Sequence, residues 1–458
     1  MSKQPTVSNN ACFNCVIVND SLQCNDTELE NQITIPIKDI LCVLPSSGEH
    51  AYAYTMLFLQ KRTDFPGVPF EIERIHLKSV PSALLSSQLL AEVPSHLCHL
   101  SNICLKLHII ISTASGTGTA KLLFSRILQK LLAWIGVNQY EVHETKSTQT
   151  ITELCHSKFI PQAEAGVPQT IILFSGDGGL CDVINSFHGT PKCIRTAPNI
   201  GLIPAGTGNA LASSTGLLAH PKASLTALLR GKPVPLPVFV ATFSRRAGYV
   251  QDGQTRPPTT DESSPLRIYG GVVASWGLHA ALVAESDTVE YREFGAERFK
   301  MAANELLFPS DGRETHEYNG TITLIKRDNQ RSIEHEEVIE HKKHMYVLAT
   351  LVSNLEKDFM ISPNSAPLDG SLRFLHFGPM PSQRAMQLLS AAYRNGRHIH
   401  EDDVMYSEIE GFKVDFHEID EKWRRVCIDG RVVMVEEEGW MKVHKERSRL
   451  VNILLPDF

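Results

Sequence analysis

Apolar and polar positions change rhythm twice along the chain. Over the first hundred residues, short alternating runs at Ile33–Ile37, Ile40–Pro45, Ala51–Leu59 and Phe70–Leu77 are separated by polar turns. That pattern predicts a small β-rich accessory module over residues 1–100, and no motif there carries chemistry. At Leu105 the alternation stops. Leu105–Ile111 is a nearly continuous apolar run, as a strand covered on both faces requires. It leads into Ser115-Gly116-Thr117-Gly118-Thr119 and then into a helix with Ala120, Leu123, Phe124, Ile127, Leu128, Leu131 and Ile135 on one face. A second strand, Thr170–Phe174, enters Ser175-Gly176-Asp177-Gly178-Gly179, after which Leu180, Val183, Ile184 and Phe187 follow at helical spacing. A third, Ile200–Ile203, enters Pro204-Ala205-Gly206-Thr207-Gly208-Asn209-Ala210. Three strand, glycine-turn and helix units predict an α/β fold with a mostly parallel sheet over residues 101–232. Parallel strands end together, so the three turns should gather at one sheet edge.

Beyond Arg230-Gly231 the period moves toward two. Candidate strands are Val234–Phe243, Leu266–Ala274, Gly320–Ile325, Met345–Val352, Leu372–Phe377, Phe412–Phe416 and Arg424–Ile428. The last turns at Asp429-Gly430, a strong hairpin signal, and continues as Val432–Val435. One helix interrupts them, with Ala385, Leu388, Leu389 and Ala392 on a face and Gly396 as its stop. A largely antiparallel β-domain over residues 233–458 is the expected architecture, its last strand free to return to the first lobe. Arg245–Ser264 and Arg327–Lys343 read as polar surface insertions.

Composition narrows the function. The chain has 458 residues, 42% hydrophobic and 21% charged, and 44 basic against 51 acidic residues leave a net charge of −7. A general nucleic-acid binder needs a basic face, so nucleic acid is not an expected partner. No apolar run reaches the roughly 18 residues of a membrane-spanning helix. The start, MSKQPTVSNN, lacks the basic and apolar regions of a signal peptide. A cytoplasmic protein whose membrane contact is peripheral is expected. Ten scattered cysteines, with Cys12 and Cys15 the one C-x-x-C, fit reduced thiols used mostly as small apolar side chains.

Glycine turns at strand ends bring bare backbone N–H groups close to a ligand, and a following helix N-terminus adds positive potential. None of the three is a Walker P-loop, and Gly116-Thr117-Gly118 lacks the third glycine of a dinucleotide fingerprint. Asp177 is the most informative position. An acid between two glycines at a strand end caps the next helix, holds Mg²⁺ near phosphates, or accepts the proton of an attacking hydroxyl. Asp182, five residues on, sits near the same helix start.

At SGDGGLCDVINSF and IGLIPAGTGNALASS the chain resembles the two signature blocks of the diacylglycerol kinase/sphingosine kinase catalytic-domain family. The extension NALAS is closer to the sphingosine kinase branch. ASWGLHAALVAESDTVEYREFGAERF is similar to the segment of that branch built on S-W-G, E-S, Y-R and R-F, and SPNSAPLDGSLRFLHF, NGRH, VCIDGRVV and GWMKVH agree with its tail. The resemblance runs from about Leu105 to the C-terminus. It implies an enzyme that binds ATP and Mg²⁺ between an α/β domain and a β-sandwich and transfers the γ-phosphoryl group to the primary hydroxyl of a lipid, most closely a sphingoid long-chain base. Carried over by position, Asp177 is the general base. Ser112, Ser115, Gly116, Thr117 and Gly118 form the first nucleotide loop, Ser175, Gly176 and Gly178 line the phosphates, and Gly206, Thr207, Gly208 and Asn209 form the second loop. Thr145, Arg292, Arg298 and Asp429 complete the nucleotide set. Asp182, Ser275, Trp276, Leu282 and Glu285 fall in the lipid-binding set, while the metal ligands stay unassigned.

The chain also departs from the family pattern. The first loop, Ser112 to Ala120, keeps glycines at 116 and 118 but has Ser and Thr where the family has Asn and two Lys, which leaves phosphate to hydroxyls and amides. The late D-G-E turn carries Arg431 in third place, either a source of positive charge or an exposed hairpin residue. The acid that grips a sphingoid amine falls on Val283 when counted from Trp276 and on Glu285 when counted back from Tyr291. Val283 would remove the ion pair and favour a neutral glycerolipid. The competing readings are a diacylglycerol kinase and a kinase-like lipid-binding protein that has lost turnover. NAD kinase shares a G-G-D-G turn but not the later blocks.

Overall fold

The computed structural model describes residues 12–26, 32–46, 52–62, 67–98, 104–191, 193–251, 254–256, 265–287, 291, 294–295, 297–328 and 333–456. Near the N-terminus, Gln32–Pro36, Ser21–Asp26, Cys12–Val18, Phe70–Leu77, Tyr54–Lys61 and Ile40–Pro45 lie side by side in that order. Neighbours run antiparallel except Cys12–Val18 beside Phe70–Leu77. One side of this sheet closes over Phe13, Leu22, Ile35, Val43, Met56 and Ile75. The other side sends Leu41, Leu57, Leu59 and Ile72 into the core of the α/β layer, among Ile109, Phe124 and Leu128. The module is thereby docked through apolar burial, the dominant cohesive force.

The α/β layer is a sheet ordered Lys232–Pro235, Asn452–Leu455, Asn199–Pro204, Gln169–Ser175, Lys106–Ile111 and Glu141–Glu144. All pairings are parallel except that of Lys232–Pro235, which runs antiparallel to Asn452–Leu455. Every residue of Gln169–Ser175 is buried, the continuous apolar pattern of a central parallel strand. The strand Asn452–Leu455 inserts beside Asn199–Pro204, so a segment from beyond the sandwich completes this sheet.

Two antiparallel sheets follow and face each other across Phe239, Phe243, Trp276, Ile322, Phe374, Phe412, Phe416 and Met441. The sequence expectation of an α/β region followed by an antiparallel sandwich holds. Two runs expected as single strands are each divided. Val234–Phe243 is split into Lys232–Pro235 in the α/β sheet and Phe239–Phe243 in the sandwich, with the break at Leu236-Pro237, after Leu236 N–H makes the last bond of the ladder to the Val451 carbonyl. Leu266–Ala274 is split into Arg267–Gly270 in one sheet and Val273–Gly277 in the other. Described residues of both insertions form strands: Gly248–Gln251 pairs with Gln254–Arg256, and Glu334–Val338 pairs with Tyr318–Arg327.

Alternation along the eight-stranded sheet decides what meets what. Val347, Ala349 and Phe374 point into the sandwich, while Tyr346, Leu348, Leu375 and Phe377 point out. The outward set lies in the same apolar core as Leu180, Val183, Ile184 and Phe187 of the helix Asp177–His188. The helix that begins at Asp177 packs on Gln169–Ser175 of the α/β sheet and on Arg267–Gly270 of the sandwich, so it touches both architectures.

Candidate active site

The three glycine turns meet at the C-terminal edge of the parallel sheet. Gly116 has φ +54, and a Cβ there would lie 2.3 Å from the Ala205 carbonyl. A Cβ on Gly206 would lie 2.4 Å from Gly176 Cα. No side chain fits at either place, so these glycines let the turns touch. Gly178 differs, since a Cβ there would meet nothing within 4 Å, which leaves its backbone open to a ligand.

Hydrogen bonds lock the turns together. Gly176 N–H donates to Ser115 Oγ at 3.2 Å. Thr113 N–H donates to Thr145 Oγ1 at 3.0 Å, and Thr113 Oγ1 donates to the Thr145 carbonyl at 2.8 Å. Asn209, in the left-handed region at φ 51, accepts from Gly206 N–H at 3.0 Å and donates back to the Gly206 carbonyl at 2.6 Å. Its amide thus closes its own turn. Ser112, Thr117, Gly118, Thr207 and Gly208 lie partly or fully exposed around this junction, and Ser175 is buried beneath it.

Asp177 occupies the junction itself. Its Oδ2 accepts from Ala210 N–H at 2.6 Å and its Oδ1 from Leu211 N–H at 3.1 Å, the first amides of the helix that follows the third turn. Desolvation holds its carboxyl above the ordinary aspartate range, and the two N–H groups pull in the opposite direction. The carboxylate is anchored at a helix start, with a lone pair left on each oxygen.

On the sandwich side, Asp429 faces the same region. It sits at φ 48 ahead of Gly430 at φ 83, the pair of positive φ values a tight D-G hairpin needs. Its carboxylate accepts from Gly271 N–H at 2.7 Å, Val272 N–H at 3.0 Å and Val273 N–H at 2.7 Å. Those amides lie where the chain changes sheets, and Asp429 satisfies them. Burial pushes its carboxyl up to about 6, with the nearby Asp177 charge adding to the rise. Asp429 is thus a brace in this structure, and its expected nucleotide contact would have to share a carboxylate already accepting three bonds.

Other expected residues are distributed differently. Asp182 forms an ion pair with Arg431, which joins the helix Asp177–His188 to the Asp429 hairpin, so Arg431 is a tie between layers and not an exposed hairpin residue. Trp276 is fully buried in the sandwich core, donating to the Trp423 carbonyl at 2.8 Å, with Phe416 edge-on. A ring placed there cannot touch a lipid without parting the sheets. Ser275 is also buried, its hydroxyl 2.7 Å from His279 Nδ1. Leu282 and Glu285 lie partly exposed on the helix Leu278–Ser286, where Glu285 pairs with Arg425 and stands 3.6 Å from Lys422. Arg298 lies 3.6 Å from Asp287 and over the Phe299 ring, partners that belong to the same helical excursion and not to the glycine turns. Arg292 lies outside the described residues.

Three residues outside the expected set also support the site, Ser214 and Asn185 from within the two signature blocks. Ser214 Oγ donates to the Asn354 carbonyl at 3.1 Å and accepts from Asn354 N–H at 2.9 Å, which ties the third turn's helix to a sandwich loop. Asn185 spans the same divide, donating to the Tyr269 carbonyl at 2.7 Å and accepting from Tyr269 N–H at 2.9 Å. Lys121, at the start of the helix after the first turn, pairs with Glu144 at 2.8 Å, one residue before Thr145.

A crossing of glycine turns at parallel strand ends, with an acid at its centre, is a phosphate-handling arrangement. Residues 106–241 match the diacylglycerol kinase catalytic domain. The chain carries a diacylglycerol kinase-like catalytic domain, and that domain contains all three turns and Asp177. Two solved structures from Bacillus anthracis str. Sterne, each described as a putative diacylglycerol kinase, share the fold. One has 16% identity and a TM-score of 0.50, covering 76% of this chain and 97% of its own. Another has 16% identity and a TM-score of 0.51 with the same coverage, 76% and 97%. No curated protein matches the chain by sequence.

Proposed function

We propose that the protein is a lipid kinase that transfers the γ-phosphoryl group of ATP to a primary hydroxyl of a lipid. The observation that carries this reading is the convergence of the three turns on Asp177 within a diacylglycerol kinase-like domain. Phosphoryl transfer needs alignment and charge stabilisation more than covalent help, and turn amides with exposed hydroxyls supply donors for it. The open Gly178 backbone, Thr117 and Thr207 would hold the phosphates. Mg²⁺, when bound, would neutralise phosphate charge, and Asp177 is the carboxylate at the junction that could hold it or receive the acceptor's proton. Lys121 is the nearest replacement for the lysines missing from the first turn.

The acceptor follows from the second region. The S-W-G to R-F block supports a sphingoid long-chain base. A neutral glycerolipid is supported by Glu285, whose carboxylate already answers Arg425 and would have to leave it to bind an amine. A cavity lined by Leu278, Leu306, Tyr318, Met345 and Trp423 has a volume of only about 10 Å³, so an acyl chain would need the helices Leu278–Ser286 and Glu297–Leu307 to part. Peripheral membrane contact is supported by Phe294, Met301 and Phe308, seven residues apart and 54%, 40% and 36% exposed around the second of these helices. Among the described residues, no helix is long and apolar enough to cross a membrane.

The test is radiolabelled ATP transfer to sphingosine, ceramide and diacylglycerol in mixed micelles, with Mg²⁺ present and absent. Metal-dependent labelling of one lipid class supports the reading. No labelling of any, with nucleotide binding indifferent to Mg²⁺, would favour a lipid-binding protein without turnover.

A further inference from the structure

Away from the glycine turns, the outer edge of the parallel sheet carries an arrangement the phosphoryl-transfer reading does not use. Lys106–Ile111 and the edge strand Glu141–Glu144 pair in parallel with His108 opposite Glu141 and Ile110 opposite His143. Side chains alternate along a strand, so His108, Glu141 and His143 project from one face. His143 Nε2 lies 3.4 Å from His108 Nδ1 and 3.8 Å from Glu141 Oε2, while His108 Nδ1 lies 3.9 Å from that same oxygen. A point equidistant from these three atoms is about 2.1 Å from each, the length of zinc–imidazole and zinc–carboxylate bonds.

The surroundings prepare these atoms for a cation. His108 is fully buried, and its Nε2 lies 3.0 Å from Gln162 Oε1, an oxygen that can only accept. Nε2 must therefore carry the hydrogen, which leaves the Nδ1 lone pair aimed at the other two ligands. An outer hydrogen bond that fixes the tautomer and orientation of a ligating histidine is the usual support of a metal site. Phe159 flanks both rings, at 4.9 Å from His108 and 6.2 Å from His143. Glu141 is half exposed, so the fourth position opens to water. One competitor is in place: Lys158, 33% exposed, pairs with Glu141 and must swing out when a cation enters.

We propose that His108, His143 and Glu141 form a binding site for a zinc-class divalent cation, with Gln162 as the positioning residue for His108 and water as fourth ligand. Two nitrogens and one carboxylate oxygen suit Zn²⁺ and its spectroscopic substitute Co²⁺ better than Mg²⁺ or Ca²⁺, which favour all-oxygen shells. The bound ion would clamp a four-residue edge strand to its neighbour, and that strand leads directly to Thr145, which holds the first glycine turn.

The experiment adds Co²⁺ or Zn²⁺ alone to metal-stripped full-length protein, reading the Co²⁺ visible spectrum, chelator competition and thermal melting. One equivalent of Co²⁺ should give tetrahedral d–d bands without a thiolate charge-transfer band. His143→Ala and Glu141→Gln should each weaken binding by about tenfold or more, and Gln162→Ala by about tenfold. Lys158→Met should tighten binding, an effect a purely structural ion pair would not produce. Melting without metal confirms that each variant is folded. Absence of binding, a spectrum dominated by thiolate bands, or equal affinity in wild type and folded His143→Ala would each overturn the site.

Discussion

Asp177 Oδ2 accepts the backbone N–H of Ala210 at 2.6 Å, so the acid of one glycine turn anchors the helix that follows another. The geometry of phosphate donors and the position of the candidate base are thus one mechanical unit. Moving either moves both.

Asp177→Asn tests that unit. An asparagine has one acceptor oxygen, so its NH₂ would face either Ala210 or Leu211 N–H, leaving a bond unmade at a cost on the order of 1–3 kcal/mol. Lipid phosphorylation should fall below detection while the protein still melts cooperatively at a lower temperature. Unchanged turnover in the radiolabel assay would remove Asp177 from the reaction.

Arg431 joins the layers through Asp182. Arg431→Met would leave a desolvated carboxylate without its partner, a loss on the order of 3 kcal/mol. Arg431→Glu should be worse because it adds like charge. Urea denaturation of the single variants and of Asp182→Asn/Arg431→Met isolates the pair: the double variant should be more stable than the sum of the singles implies.

Acid should destabilise the fold through buried histidines. His344 Nδ1 lies 2.9 Å from His376 Nε2, and burial lowers these groups to about 4 and about 3 from an ordinary 6.5. Below 6.5 the unfolded chain takes up protons that the folded one refuses, so stability present above that pH is lost as pH falls toward about 4. Melting temperature should decline across this window, and His376→Gln should flatten the decline. A variant as steep as wild type would place the effect elsewhere.

Glu285→Gln separates the two acceptor readings. If a sphingoid ammonium is held by Glu285, transfer to sphingosine should drop about tenfold or more, roughly one ion-pair contribution, while diacylglycerol changes little. Equal effects on both lipids would leave Glu285 as the partner of Arg425 alone.

Membrane contact by the exposed apolar stripe predicts that Met301→Asp with Phe308→Asp lowers sedimentation with lipid vesicles severalfold and leaves melting unchanged. Undiminished sedimentation would move the contact to another surface.

Where the local pattern and the tertiary environment agree, the chain alone was informative. Nearly continuous apolar runs at Leu105–Ile111, Thr170–Phe174 and Ile200–Ile203, each ending in a glycine turn, read as covered strands, and their turns share an edge because the strands are parallel. Elsewhere the pattern was silent. Glu141–Glu144 is a short, largely exposed edge strand with no apolar period, so nothing announced that it would bring Glu141 and His143 beside His108. The apolar runs at Val234–Phe243 and Leu266–Ala274 read as single strands because hydrophobicity does not say which of two sheets a residue enters. Trp276 read first as a core residue and, by the resemblance, as a wall of a lipid pocket, and the second sheet closes over it with Phe416 in the core. The sequence by itself determined the order of elements and the residues able to handle phosphate, because those depend on neighbours a few positions apart. The tertiary structure alone decided that Asp177 is tethered, that Arg431 bridges layers and that Asp429 braces a sheet crossing, because each depends on partners more than thirty residues away.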